Sequence, residues 1–146
     1  MDSLDMAGHL IRRLHQQSTQ VFVQRTQAAG FDLTPVQFAA LDAIAAQPGT
    51  DQARVAEMIA YDRATIGGVI DRLVQKGWVH RVVSERDRRA REVSLTDEGQ
   101  RVRTAVLPVV QDLQKDILEA LGVEERALFL ALARKAMRQS VTASEP

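Results

Sequence analysis

Apolar residues recur at helical spacing through most of the chain and alternate like a strand in only one short region. Leu10, Ile11, Leu14, Val21 and Phe22 line one side of a predicted first helix, Met6 to Ala29, that closes near Gly30. Its polar flank carries His9, Arg12, Arg13, His15, Gln16 and Gln17. The run Leu33-Thr34-Pro35-Val36-Gln37 is a helix start: Thr34 as N-cap, Pro35 at the first helical position and Gln37 completing a capping box. That second helix runs to about Ala46, with Phe38 and Leu41 inward, and stops at Gln47-Pro48-Gly49. Thr50 or Asp51 caps a short third helix, Gln52 to Ile59, and Ala60-Tyr61 leads tightly into a fourth. Two short helices joined by a brief turn, the second presented to solvent, make a helix-turn-helix.

The fourth helix is predicted to start at the Asp62 cap and to end at Gly77, with Ile66, Val69, Ile70 and Leu73 as a buried stripe. The opposite face holds Ala64, Gly68, Asp71 and Gln75, flanked by Gly67 and Arg72. Each glycine in mid-helix is unfavourable by roughly 1 kcal/mol relative to Ala. The pair has two explanations: room for a phosphate or base edge, or close packing against another helix.

The alternating region follows. Trp78 to Val83 and Glu92 to Leu95 suit two strands, and the residues between them are almost all charged. A projecting hairpin tip keeps Arg86, Arg88, Arg89 and Arg91 hydrated until an anion arrives. Thr96 then caps a fifth helix with Asp97 and Glu98 in its first turn. Its apolar positions continue through Val102, Val106, Val109, Val110, Leu113, Ile117 and Leu121, with a kink expected at Pro108 and an end at Gly122. A last helix, Glu124 to about Ser140, carries Leu128, Phe129, Leu132 and Met137, and the closing VTASEP is expected to fray. The apolar stripes of the terminal helices exceed what one small protomer can cover, which points to a homodimer.

Charge sharpens the picture. The chain of 146 residues has a formal net charge of zero. Yet from Arg63 to Arg91 eight Lys or Arg face three acids, a local +5, leaving eleven bases against sixteen acids elsewhere. Such polarisation on a helix and hairpin is the electrostatic footprint of a nucleic-acid binder. Four Phe, one Tyr and one Trp are too few for a single-strand stacking platform, so duplex is the expected partner.

The residues from Asp71 to Val79 (DRLVQKGWV) and from Asp87 to Thr96 (DRRAREVSLT) resemble the MarR family of bacterial winged helix-turn-helix regulators, the second segment fitting D-x-R-x-x-x-V-x-L-T at every fixed position. The likeness extends into the helical flanks and departs at Gly67 and Gly68, where members often carry Thr or Ser and a larger polar residue. It implies a mainly α fold with a small β-hairpin wing (α+β): a winged helix-turn-helix at 34–96 between dimerisation helices at 1–33 and 97–146. It also implies an Asp87–Arg89 ion pair bracing the wing, and a small, often aromatic, effector bound between the dimerisation helices and the DNA-binding lobe.

Other chemistry is weakly supported. There are no cysteines, hence no disulfide or thiol sensor. Glu124-Glu125 and Asp97-Glu98 are first-turn acids, and His9, His15 and His80 lack metal-ligand spacing. No phosphate-binding glycine loop is present, so no enzyme, metal or cofactor is expected. The acidic amino terminus lacks the character of a signal peptide, and a cytoplasmic protein is expected.

The expected DNA-reading set is Arg63, Thr65, Gly67, Gly68 and Arg72 on the fourth helix and Arg86, Arg88, Arg89 and Arg91 on the wing, with Gln37 and Gln52 as phosphate contacts at helix starts. His15, Phe22 and Phe38 are the expected effector lining. For His15 the alternative is a half-buried histidine satisfied by a neighbour. Two rival functions stand beside a ligand-released repressor: an effector-independent DNA-binding regulator, and a winged-helix module for protein interaction.

Overall fold

A computed structural model describes the backbone of residues 1–142 and the side chains of residues 1–137. It contains α1 (Ala7–Ala28), α2 (Pro35–Ala46), β1 (Thr50–Asp51), α3 (Gln52–Met58), α4 (Ile66–Gln75), β2 (Val79–Val83), β3 (Arg91–Leu95), α5 (Asp97–Ile117) and α6 (Val123–Thr142), after a short 3-10 turn at Ser3–Asp5. The expected mainly α architecture with a hairpin wing is the one observed. The chain divides into two compact units, residues 1–113 and residues from Gln114 on.

In the first unit the core lies where α2, α3 and α4 meet the sheet. Leu41, Ile44, Val55, Ile66, Ile70, Leu73, Val79 and Val93 are all buried there, and Val106, Val110 and Leu113 of α5 are buried as well. The capping box at α2 forms as expected, the Thr34 hydroxyl accepting from Gln37 N–H at 3.2 Å and the Gln37 carbonyl oxygen from Thr34 N–H at 3.1 Å. The sheet has the order β1-β3-β2, antiparallel throughout, with Val79 opposite Leu95 and Val83 opposite Arg91.

Three sequence expectations need correction. Thr50 and Asp51, expected only as helix caps, form β1 and pair with Val93 and Glu92; a two-residue strand has no periodicity to reveal it. Asp51 nevertheless caps α3, accepting from Ala53 N–H at 2.7 Å. α4 proper begins at Ile66 and not at Asp62: the Asp62 carboxylate accepts from Ala64 N–H at 3.0 Å and its carbonyl from Thr65 and Ile66, so it caps a lead-in turn. Arg63 and Thr65 therefore sit on that turn. α5 ends at Ile117, a turn earlier than Gly122, and continues through Pro108. α1 agrees with the expectation of an uncovered stripe: only Phe22 and Thr26 are buried, while Leu10, Ile11 and Leu14 are exposed, Ile11 at 65%.

In the second unit, α6 leaves Val123, Leu128, Leu130, Leu132 and Met137 exposed. The expected fraying at the carboxyl end concerns, from residue 143 on, a stretch outside the described residues. No described helix is long and apolar enough to cross a membrane.

Candidate nucleic-acid interface

α4 is held by its inner face. Ile66, Ile70 and Leu73 are buried, each contributing roughly 1.5–3 kcal/mol, which outweighs the ~1 kcal/mol cost of each glycine on the other side. Val69, placed in the same stripe from the sequence, is only half-buried. Gly77 closes the helix at φ +78°, the left-handed exit expected of it. Of the two explanations for the glycine pair, packing fails at Gly68: a Cβ there would meet nothing within 4 Å. Gly67 lies beside Gln52, whose Nε2 would be 3.5 Å from an added Cβ. The exposed surface of this segment thus carries Arg63, Thr65, Gly68 and Arg72.

The wing tip is held through its backbone N–H groups and leaves its cations outward. Ser84, 5% exposed, accepts from Arg86 N–H at 3.2 Å and Asp87 N–H at 3.3 Å through its hydroxyl. Its own N–H donates to the Ala90 carbonyl at 3.1 Å, and Ala90 N–H closes a turn onto Asp87 at 2.9 Å. The Asp87 carboxylate accepts from the backbone N–H of Arg89 at 3.0 Å. No Asp87–Arg89 ion pair is present among the described residues, which corrects the expected brace. Two residues apart in a tight turn, the carboxylate reaches the peptide N–H while the guanidinium extends away. Arg91 donates to the carbonyls of Arg88 and Ala90 at 3.1 and 3.4 Å.

Counting cations overstates the reading surface. Lys76 pairs with Asp32, donating to its carbonyl as well, and lies 4.6 Å over the Trp78 ring. Arg81 pairs with Asp71 at 2.6 Å. The other six cations of the stretch, Arg63, Arg72, Arg86, Arg88, Arg89 and Arg91, have no acidic partner among the described residues.

Gln37 and Gln52 part company. Gln37 is 7% exposed with its amide oxygen used in the capping box, which leaves its side chain little surface to offer a phosphate. Gln52 stands at the first turn of α3, half-buried, and accepts from Arg81 at 3.3 Å. The effector trio also separates. Phe22 and Phe38 pack with ring centroids 6.4 Å apart, tilted at 49°. His15 is exposed, not half-buried, in an open depression of about 360 Å³ with Arg12, Gln16, Thr19 and Gln20.

Residues 31–90, from within the α1–α2 connection to the wing tip, match the family model described as MarR family. The transcriptional regulator HosA of Escherichia coli is 37% identical over 131 residues, covering 90% of this chain and 94% of HosA. The chain belongs to the MarR family. Two solved structures of MarR-type regulators superpose on nearly all of it. PcaV from Streptomyces coelicolor, in complex with its natural ligand, gives a TM-score of 0.84 at 32% identity, covering 96% of this chain and 97% of PcaV. BpsR of Bordetella bronchiseptica, whose DNA binding is regulated by 6-hydroxynicotinic acid, gives 0.83 at 28% identity, covering 94% and 96%. The protein is thus a MarR-family transcriptional regulator, and its winged helix-turn-helix is the family's.

Proposed function

We propose that this regulator is a homodimeric repressor that binds a pseudo-palindromic DNA duplex and releases it when a small aromatic carboxylate binds. The observation that carries the DNA half is the set of six acid-free arginines, two around α4 and four on the wing, flanking the open backbone at Gly68. Arg63, Thr65, Gly67, Gly68 and Arg72 face the major groove, where Arg63 and Arg72 reach guanine edges or phosphates. Arg86, Arg88, Arg89 and Arg91 take the wing into the minor groove, and Gln52 lies at the edge of the α4 contact. The helices at residues 1–33 and 97–146 form the dimer. In support, α1 exposes Leu10, Ile11 and Leu14 and α6 exposes Leu128 and Leu132. Two-fold symmetry then spaces the α4 helices by about 34 Å, one DNA turn.

The effector half draws on the aromatic Phe22–Phe38 pair and on His15 about two helical turns away along α1. Ring faces and a polar handle suit a compound such as the aromatic acid that regulates BpsR. By linkage the effector weakens DNA binding by the factor with which DNA weakens effector binding.

The test is fluorescence anisotropy of a labelled duplex selected from a random library by the purified protein. Two protomers per duplex, affinity falling steeply with salt, and release on adding aromatic carboxylates, 6-hydroxynicotinic acid among them, are expected. Tight binding without release leaves an effector-independent regulator. Failure to retain any duplex replaces the whole proposal with a protein-interaction module.

A further inference from the structure

One guanidinium joins three elements around the reading helix. Arg81 follows buried Val79 by two residues on β2, so it shares the inward side of the strand. Its Nη1 donates to Asp71 Oδ1 of α4 at 2.6 Å and to Gln52 Oε1 of α3 at 3.3 Å. Because a guanidinium only donates, Gln52 must turn its carbonyl oxygen toward Arg81, and its amide N–H groups then face away. They lie beside Gly67, next to the exposed face of α4.

We propose that Arg81 is a positioning residue for DNA reading: clamped between Asp71 and Gln52, it fixes α4 against the wing strand and aims the Gln52 amide at the α4 face beside Gly67, setting discrimination between sequences and not the general hold on DNA. The proposal rests on the DNA-binding function above. Arg81 has its charge matched by Asp71 and its side chain 27% exposed, so it is poorly placed to neutralise a phosphate. Base-edge hydrogen bonds need a helix held in one place, whereas long arginines on phosphates tolerate small displacements. Both bonds leave the one nitrogen Nη1; a lysine, with a shorter reach and a tetrahedral ammonium, keeps the ion pair with Asp71 and weakens the bridge to Gln52.

The experiment measures affinity of the full-length protein for the library-selected duplex and for a scrambled duplex of equal length, across a salt series, for the wild type, Arg81→Gln, Arg81→Lys, Asp71→Asn and the double variant Arg81→Gln/Asp71→Asn. Arg81→Gln is expected to lose about tenfold in the ratio of selected to scrambled affinity, with the salt slope unaltered. Arg81→Lys should fall between Arg81→Gln and the wild type. Asp71→Asn carries the opposite sign under simple electrostatics, which would tighten both duplexes; a lowered ratio is expected instead. The double variant should be no worse than either single one, because both remove the same clamp. If Arg81→Gln weakens both duplexes and cuts the slope by about one, Arg81 is a phosphate contact and the proposal is overturned. An unchanged ratio in folded Arg81→Gln or Asp71→Asn, whichever retains native circular dichroism, overturns it equally, since the clamp is then only structural. Equal affinity of the wild type for both duplexes overturns the sequence-specific function beneath it.

Discussion

Gly99 lies with its Cα against the backbone carbonyl of Trp78, so close that a Cβ would overlap the oxygen. The contact seats the first turn of α5 on the entry to β2. Thr96 secures the same junction: its N–H donates to the Trp78 carbonyl at 3.0 Å and its hydroxyl to the Gly77 carbonyl at 2.6 Å, while accepting from Gly99 N–H at 3.0 Å. Because the obstructing atom is backbone, it cannot rotate aside. Gly99→Ala should therefore destabilise the protein by about 1–3 kcal/mol or more, read as a lower urea midpoint. A shift below about 0.5 kcal/mol would show that the junction yields.

The wing's cations make a prediction with a separable signature. Arg88 projects from a tip held by Ser84 and Asp87, so truncating it leaves the scaffold intact. Arg88→Ala should weaken selected and scrambled duplexes together and reduce the slope of log K against log salt by about 0.9 for each phosphate that Arg88 neutralises. The melting temperature should not move. Retention of the full slope would remove Arg88 from the DNA.

Ala60 occupies the left-handed region at φ 54° in the turn out of α3, where Tyr61 N–H donates back to the Ala56 carbonyl at 2.8 Å. An alanine there bears a strain of roughly 1–2 kcal/mol that glycine avoids, offset by the greater freedom glycine has when unfolded. Ala60→Gly should accordingly raise stability by about 0.5–1 kcal/mol, with an unchanged denaturant slope. A fall in stability would mean that the Ala60 methyl contributes more by packing than its backbone loses by strain.

What is legible in the sequence are features settled within a few residues. The Thr34–Gln37 capping box, the Gly77 exit and the two wing strands follow from local hydrogen-bond geometry and side-chain alternation, and all are present. The misreadings share a cause. Asp62 carries the right side chain for a helix cap, and only the folded chain shows that it caps a separate turn first. β1 exists because β3 supplies its partners from far along the chain, and Thr50 and Asp51 hold no trace of that. Arg81 counts as one more positive charge until Asp71 and Gln52 are brought to it. Ser84 is a buried hydroxyl satisfying two N–H groups, a role that its place between apolar and charged runs does not announce. Charge counting thus finds the right surface and credits it with two cations that are neutralised within the protomer.

Gly68 offers the sharpest contrast between stability and function. Its surroundings are empty, so an added methyl meets no atom of the protein, and α4 is already held by Ile66, Ile70 and Leu73. Gly68→Ala should therefore raise stability by about 1 kcal/mol through helix propensity alone. If the bare backbone at this position is where a groove wall approaches, the same methyl should weaken the selected duplex by severalfold while the salt slope stays constant, since no charge is altered. Urea unfolding and anisotropy on one variant decide the matter together. A variant that is more stable and binds equally well would show that α4 does not approach DNA at Gly68, and would shift the reading surface toward Arg63 and Arg72 alone.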